Sequence, residues 1–268
     1  MLQRQYWLAA LVATLAGPSP VPALAADTND LTAGLRLAVD RGEMLYIYDR
    51  AAWLGTDDFR GRYSKLMSNA GGYVITGDER QTDLAFYDKS KSRAVYRATF
   101  AAGKLAGSGP PASDRIELTA LERRLILSKE KALTAFIEAK VATCAKANPN
   151  LAALPPRTLG GPILVYLMTP QIDLKVYPLG GHFSVEVGED GSVGKVRHYT
   201  KTCIGMPFDQ VPKGAKPVAF WITHLLDPTP TEIHVFSSLA SGMPIYVGTK
   251  NQRTWAVEGS QIRSVDPK

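Results

Sequence analysis

The two cysteines, Cys144 and Cys203, constrain this chain more than any other pair of its residues. Joined, they close a loop of about 60 residues, and the chain-entropy model values that closure at about 4 kcal/mol. They would also tie the end of a long predicted helix to a strand far along the chain. The alternatives are two buried free thiols or one reactive thiol. The compartment decides between these, and the first 26 residues speak to the compartment. Arg4 supplies positive charge, and Leu8 to Gly17 is an apolar run too short for a stable membrane anchor. A Pro-Ser-Pro-Val-Pro stretch follows, and Ala23-Leu24-Ala25 has the small-x-small form of a cleavage site. This is the pattern of an export signal over residues 1–25. Export leads to the periplasm or the exterior, where a lone cysteine pair is most simply a disulfide.

The rest of the chain has the composition of a folded protein, with 45% hydrophobic and 21% charged residues. The net charge of +6 is mild for 268 residues, and Arg4 of the signal supplies one unit of it. Basic residues are spread out, as in Lys89, Lys91 and Arg93, without the dense aromatic-interleaved clusters of nucleic-acid binders. No nucleic-acid partner is expected. No second long apolar segment follows the signal, so no membrane span is expected in the mature chain. No cysteine stands at the cleavage site to carry a lipid, and no Asn-x-Ser/Thr sequon occurs. These features suit a soluble bacterial periplasmic protein.

Spacing predicts a helix from Asn29 to about Asp49, with Leu31, Leu35, Ala38 or Val39, and Leu45 on one side. Continuation through Trp53 is plausible, and a loop with a second short helix leads to the Gly71-Gly72 breaker. Strands are expected at 73–76, 84–87 and 94–100, joined by hairpin-length connections. Gly107 to Pro111 offers a boundary between units at 26–106 and 112–268, or a long loop within one domain, 26–268. The clearest helix is Leu118 to Cys144, opened by the Thr119-x-x-Glu122 capping box and stopped before Asn148-Pro149. Its apolar face is marked by Leu121, Leu125, Ala132, Leu133, Phe136, Ile137 and Val141. From Gly161 the pattern changes to strands at 163–168, 174–177, 182–187, 193–199, 218–223, 233–239, 245–247 and 255–257. Asp190-Gly191 is the surest turn, because this pair accepts the positive φ of a tight hairpin. Ser241-Gly242 and Lys250 to Arg253 suggest two more. The expected class is α+β, with two main helices packed against largely antiparallel sheet.

Three segments carry a resemblance. LTALERRLI at 118–126, VYPLGGHFSVEV at 176–187 and THLLDPTPTEIHVF at 223–236 resemble uncharacterised exported bacterial proteins. The resemblance implies a compartment and no activity, ligand or catalytic residue.

All four histidines, His182, His198, His224 and His234, fall in the last third of the chain. The segment from His224 to His234 also holds Asp227 and Glu232. On a strand Glu232 and His234 would share a face, as an oriented acid–base pair or, with His224, as metal ligands. No His-Glu-x-x-His or Cys-x-x-Cys spacing supports a metal, and surface or loop-anchoring histidines explain the same residues. Cys203, five residues after His198, could pair as a nucleophile, though a disulfide needs less machinery. Gly188, Gly191, Gly194 and Lys195 fail the phosphate-loop pattern at Glu189, and Ser237, Ser238 and Ser241 lack a nucleophile elbow. Asp57-Asp58 beside Trp53 reads as a solvated loop with a buried tryptophan. Two function classes follow. One is a binding or interaction module with an envelope protein as partner and no cofactor. The other is a periplasmic hydrolase-like enzyme using His224, Glu232 and His234. A small-ligand carrier, third, would need an enclosed apolar cavity.

Overall fold

The computed structural model describes residues 28–209 and 217–265, and the segment expected to be an export signal, 1–25, lies outside them. Helix α1 (Thr28–Arg62) runs well beyond the predicted Asp49 or Trp53. Asp30 in its first turn and Arg60 and Arg62 in its last complement the helix dipole. Gly42 and Gly55 do not break it, because both are points of close approach. A Cβ at Gly42 would fall 2.5 Å from Val235 Cβ and 2.8 Å from the Glu232 carbonyl oxygen. A Cβ at Gly55 would fall 2.1 Å from a Leu84 methyl. Tertiary packing thus outweighs the poor helix propensity of glycine.

After the short α2 (Ser64–Met67) come β1 (Ala70–Gly77), β2 (Gln81–Asp88), β3 (Ala94–Ala101) and β4 (Lys104–Gly109). They form an antiparallel meander in sequence order. The predicted meander has three strands; the fourth, paired to β3, reaches Gly109 and so overlaps the start of the expected boundary at Gly107 to Pro111. Helix α3 (Ala120–Glu138) begins at the expected capping box but ends six residues before Cys144. Its Leu133 and Ile137, assigned to the apolar face, are exposed; Glu122, Leu125, Ala132 and Phe136 are buried.

The second sheet takes β5 (Asn150–Leu154), β6 (Ile163–Met168), β8 (Phe183–Val187) and β9 (Arg197–His198), all antiparallel; β7 (Val176–Pro178) pairs instead with β10 (Gly205–Pro207). Of the predicted strand at 193–199 only Arg197–His198 pairs as a strand, with an isolated bridge at Val193. All of β6 is buried, and its side chains alternate between two cores. Leu164, Tyr166 and Met168 join Leu45, Tyr48 and Phe59 of α1; Ile163, Val165 and Leu167 join Leu125 and Phe136 of α3. The two helices therefore cover opposite faces of the strands, and a strand covered on both faces reads as a continuous apolar run.

The third sheet is β11 (Phe220–His224), β12 (Ile245–Thr249), β13 (Thr254–Glu258) and β14 (Gln261–Ser264). Strands β11 and β12 are parallel, and α4 (Glu232–Ser241) is the crossover that parallel pairing demands. The segment at 233–239, predicted as a strand, is this helix. Every residue from Glu232 to Ser238 is buried, polar and apolar alike, between α1 and β13, so no exposed face marks a helical period. Gly242, at φ +67°, is the left-handed cap of α4 and not a hairpin turn.

Cys144 and Cys203 form a disulfide with Cα atoms 5.4 Å apart. It joins two loops, one after α3 and one before β10, in place of the expected helix end and strand. Among the described residues no helix is long and apolar enough to cross a membrane.

Candidate functional site

Helix α4 begins inside the protein, and its first turn carries two of the sequence candidates. Glu232 is 4% exposed, and its Oε1 accepts hydrogen bonds from Tyr166 Oη (2.9 Å) on β6 and Tyr199 Oη (2.6 Å) just after β9. The Tyr199 proton is committed to Glu232, so Ser184 Oγ, 3.0 Å away, donates to the phenol oxygen. Burial first, and then the Glu232 charge, push both phenols far above their ordinary titration range. They are permanent donors.

His234, on the same turn, accepts the Thr231 backbone N–H at Nδ1 (2.9 Å). That bond fixes the neutral tautomer with the proton on Nε2. Burial, followed by the neighbouring His224, pulls its titration down to about 3. His224, at the end of β11, is 2% exposed, and its Nε2 lies 2.9 Å from Asp227 Oδ2. Burial alone would raise Asp227; the bond to His224 and the Arg197 guanidinium, 3.2 Å away, outweigh it and hold the carboxyl below its usual range. The two imidazoles meet edge to face at 4.8 Å.

The sequence candidates are thus brought close, with Glu232 turned to the two phenols and His234 to the Thr231 N–H. Their predicted shared face rested on a strand that is a helix. Glu232 bonds the tyrosines and not a histidine, and none of the three is among the residues that line the cleft beside α1. Among the described residues no group of three or more His, Cys, Asp or Glu side chains is arranged to hold a metal. His182 is buried as well: its Nδ1 accepts from the Thr169 N–H and its Nε2 meets the Pro178 carbonyl. Burial pulls it down to about 4. Only His198 is at the surface, edge-on to Phe183. Cys203 is in the disulfide, so it is not a nucleophile beside His198. Trp53, expected to be buried, is 57% exposed under the Arg50 guanidinium. Asp58 lies on α1 and accepts from Tyr96 and Ser108.

The feature that sequence reasoning missed is a cleft of about 690 Å³, within the range of small-ligand sites. Met44 and Ile47 of α1, the Pro155-Pro156 loop, Leu164 and Leu239 of α4 line it. Arg41 lies in its lining and joins it to the buried cluster. The guanidinium is 3.9 Å from Glu232 Oε1 inside the protein and 3.9 Å from Glu186 Oε1 at the mouth. The cleft is assembled from segments spread from residue 40 to residue 260, which local patterning cannot join. One signal was present. Ala38, Arg41, Leu45 and Tyr48 recur at helical spacing, so a charge sits within an apolar stripe.

Comparison with protein-family models, with curated proteins and with solved structures gives no match.

Proposed function

We propose that this chain is an exported envelope protein that binds a small amphipathic ligand in the cleft between α1 and the Pro155-Pro156 loop. One observation carries the reading: a cleft of about 690 Å³ has mainly apolar walls and a few convergent charged groups, with Arg41 braced from behind by a buried carboxylate. That combination of apolar volume and a small number of fixed polar groups is the usual make-up of a small-molecule site. In this reading Glu232, Tyr166, Tyr199, His224 and His234 form a rigid brace behind the cleft and do not react. The N-terminal signal and the disulfide support an oxidising, extracytoplasmic setting.

The neutral fluorophore N-phenyl-1-naphthylamine tests the reading. It should bind one molecule per chain with a blue-shifted emission. Ile47→Trp, which fills the cleft from α1, should abolish the signal while the circular dichroism stays unchanged. Probe emission that survives this substitution, or that never appears, refutes the assignment.

A further inference from the structure

The charges around the cleft go further than its volume. They run against the charge of the whole molecule, which is net positive at +6. Among the described residues that line the cleft, four are carboxylates, Asp40, Glu43, Glu79 and Glu186, and two are guanidinium groups, Arg41 and Arg157. Arg157 is committed to Asp40 at 2.9 Å. Arg41 already stands between Glu186 and the buried Glu232. An anionic ligand would therefore find both guanidinium groups already matched by carboxylates. Glu43 makes no ion pair among the described residues, and the neighbour of Glu79 is the exposed Arg80 at 3.9 Å. These two carboxylates stand on walls that also carry Met44, Ile47 and Leu164. Low-dielectric walls focus the field of like charges into a cleft and raise the local concentration of the opposite ion.

We infer that the occupant is a small amphipathic cation, its apolar body against Met44, Ile47, Leu154 and Leu164 and its amine or guanidine group held between Glu43 and Glu79. The inference rests on the ligand-binding reading above and names the class of ligand for that site. The opposite class, an apolar acid anchored on Arg41, is the outcome that would overturn it.

The test uses three probes with one eight-carbon tail: n-octylammonium chloride, sodium octanoate and 1-octanol. Each is titrated calorimetrically into the full mature protein at neutral pH and low salt. Octylammonium is expected to bind at one site roughly tenfold tighter than octanoate, the ratio set by two partly exposed charge contacts. The preference should shrink as salt is added. Glu43→Gln with Glu79→Gln should reduce the ratio to about threefold or less. Arg157→Gln, which frees Asp40, should move the other way and tighten octylammonium binding. The second variant guards against the first failing to fold. Octanoate or octanol binding as tightly as the amine overturns the cationic class while leaving a ligand site in place. A double variant that keeps the full preference also overturns it. No binding by any of the three probes overturns the ligand site itself, and the class with it.

Discussion

Replacing Glu232 by glutamine separates a brace from a catalytic group. In the brace, Oε1 holds two buried phenols and the carboxylate sits on the first turn of α4. An amide oxygen still accepts from both phenols, so the loss is the charge assistance, about 1 kcal/mol per bond. Removing a negative charge from a helix N-terminus costs about 0.5–1 kcal/mol more. Arg41 also loses a counter-charge at 3.9 Å, a small effect for a guanidinium 22% exposed. The expected cost is about 2–3 kcal/mol, which for a chain of this size lowers Tm by about 5–10 °C. Glu232→Ala orphans both phenols and should cost about 3–5 kcal/mol. Urea and thermal unfolding followed by circular dichroism read both values. Tyr199→Phe in a double-mutant cycle should return a coupling of about 1 kcal/mol or more with Glu232. Groups held in place for chemistry commonly cost stability, so their removal leaves Tm unchanged or raises it. A Glu232→Gln protein at least as stable as the parent would refute the brace.

Three further outcomes follow from the same structure. His182 and His234 are held neutral, with titration pulled from 6.5 to about 4 and about 3, so both are stabilising in full above pH 6.5. That contribution falls as the unfolded chain gains protons between pH 6.5 and 4. Below pH 4.5 Glu122 adds to the loss, because its ion pair with Arg97 (2.5 Å) and the Thr119 N–H overcome the effect of burial and hold it low. Urea midpoints should therefore drop steadily from pH 7 to pH 4, and a flat profile contradicts the buried neutral histidines. Opening the disulfide, which spans a separation of 59 residues, should cost about 4 kcal/mol and lower Tm by about 10 °C or more, read by calorimetry with and without reductant. Gly42→Ala should destabilise by about 1–3 kcal/mol through its clash with Val235, whereas Gly34→Ala, in open space on the same helix, should stabilise by about 0.5–1 kcal/mol; equal effects at the two positions would contradict the close α1–α4 packing.

What the sequence revealed follows where each signal originates. The capping box of α3, the Asp190-Gly191 turn and strand 163–168 are local, and the structure places them as expected. The disulfide was legible because only two cysteines are present. The α4 segment reads as a strand because it is buried all round, and its polar residues (Glu232, His234, Ser237 and Ser238) are buried along with its apolar ones, so no solvent face shows a helical period. Its capping signals, Thr231 before it and Gly242 after it, were in the sequence and were the better guide. The sequence points to His224, Glu232 and His234, and the fold places the two imidazoles in contact, with Glu232 on the same turn as His234. The partners Tyr166, Tyr199, Ser184 and Arg41 come from other elements, and they decide what Glu232 does. The cleft depends on how α1 meets the 155–158 loop, a relation set by tertiary packing alone.

The central claim is that the cleft is a ligand site. Its apolar lining is rich in methyl groups, so methyl-labelled NMR reads it directly: Met44, Ile47, Leu154, Leu164 and Leu239 all face it. Titration with n-octylammonium should shift the methyl signals of these five residues together along one saturable curve. Ile222 and Val247, in the core of the third sheet, should stay in place. Shifts confined elsewhere, or none at saturating probe, would contradict the account.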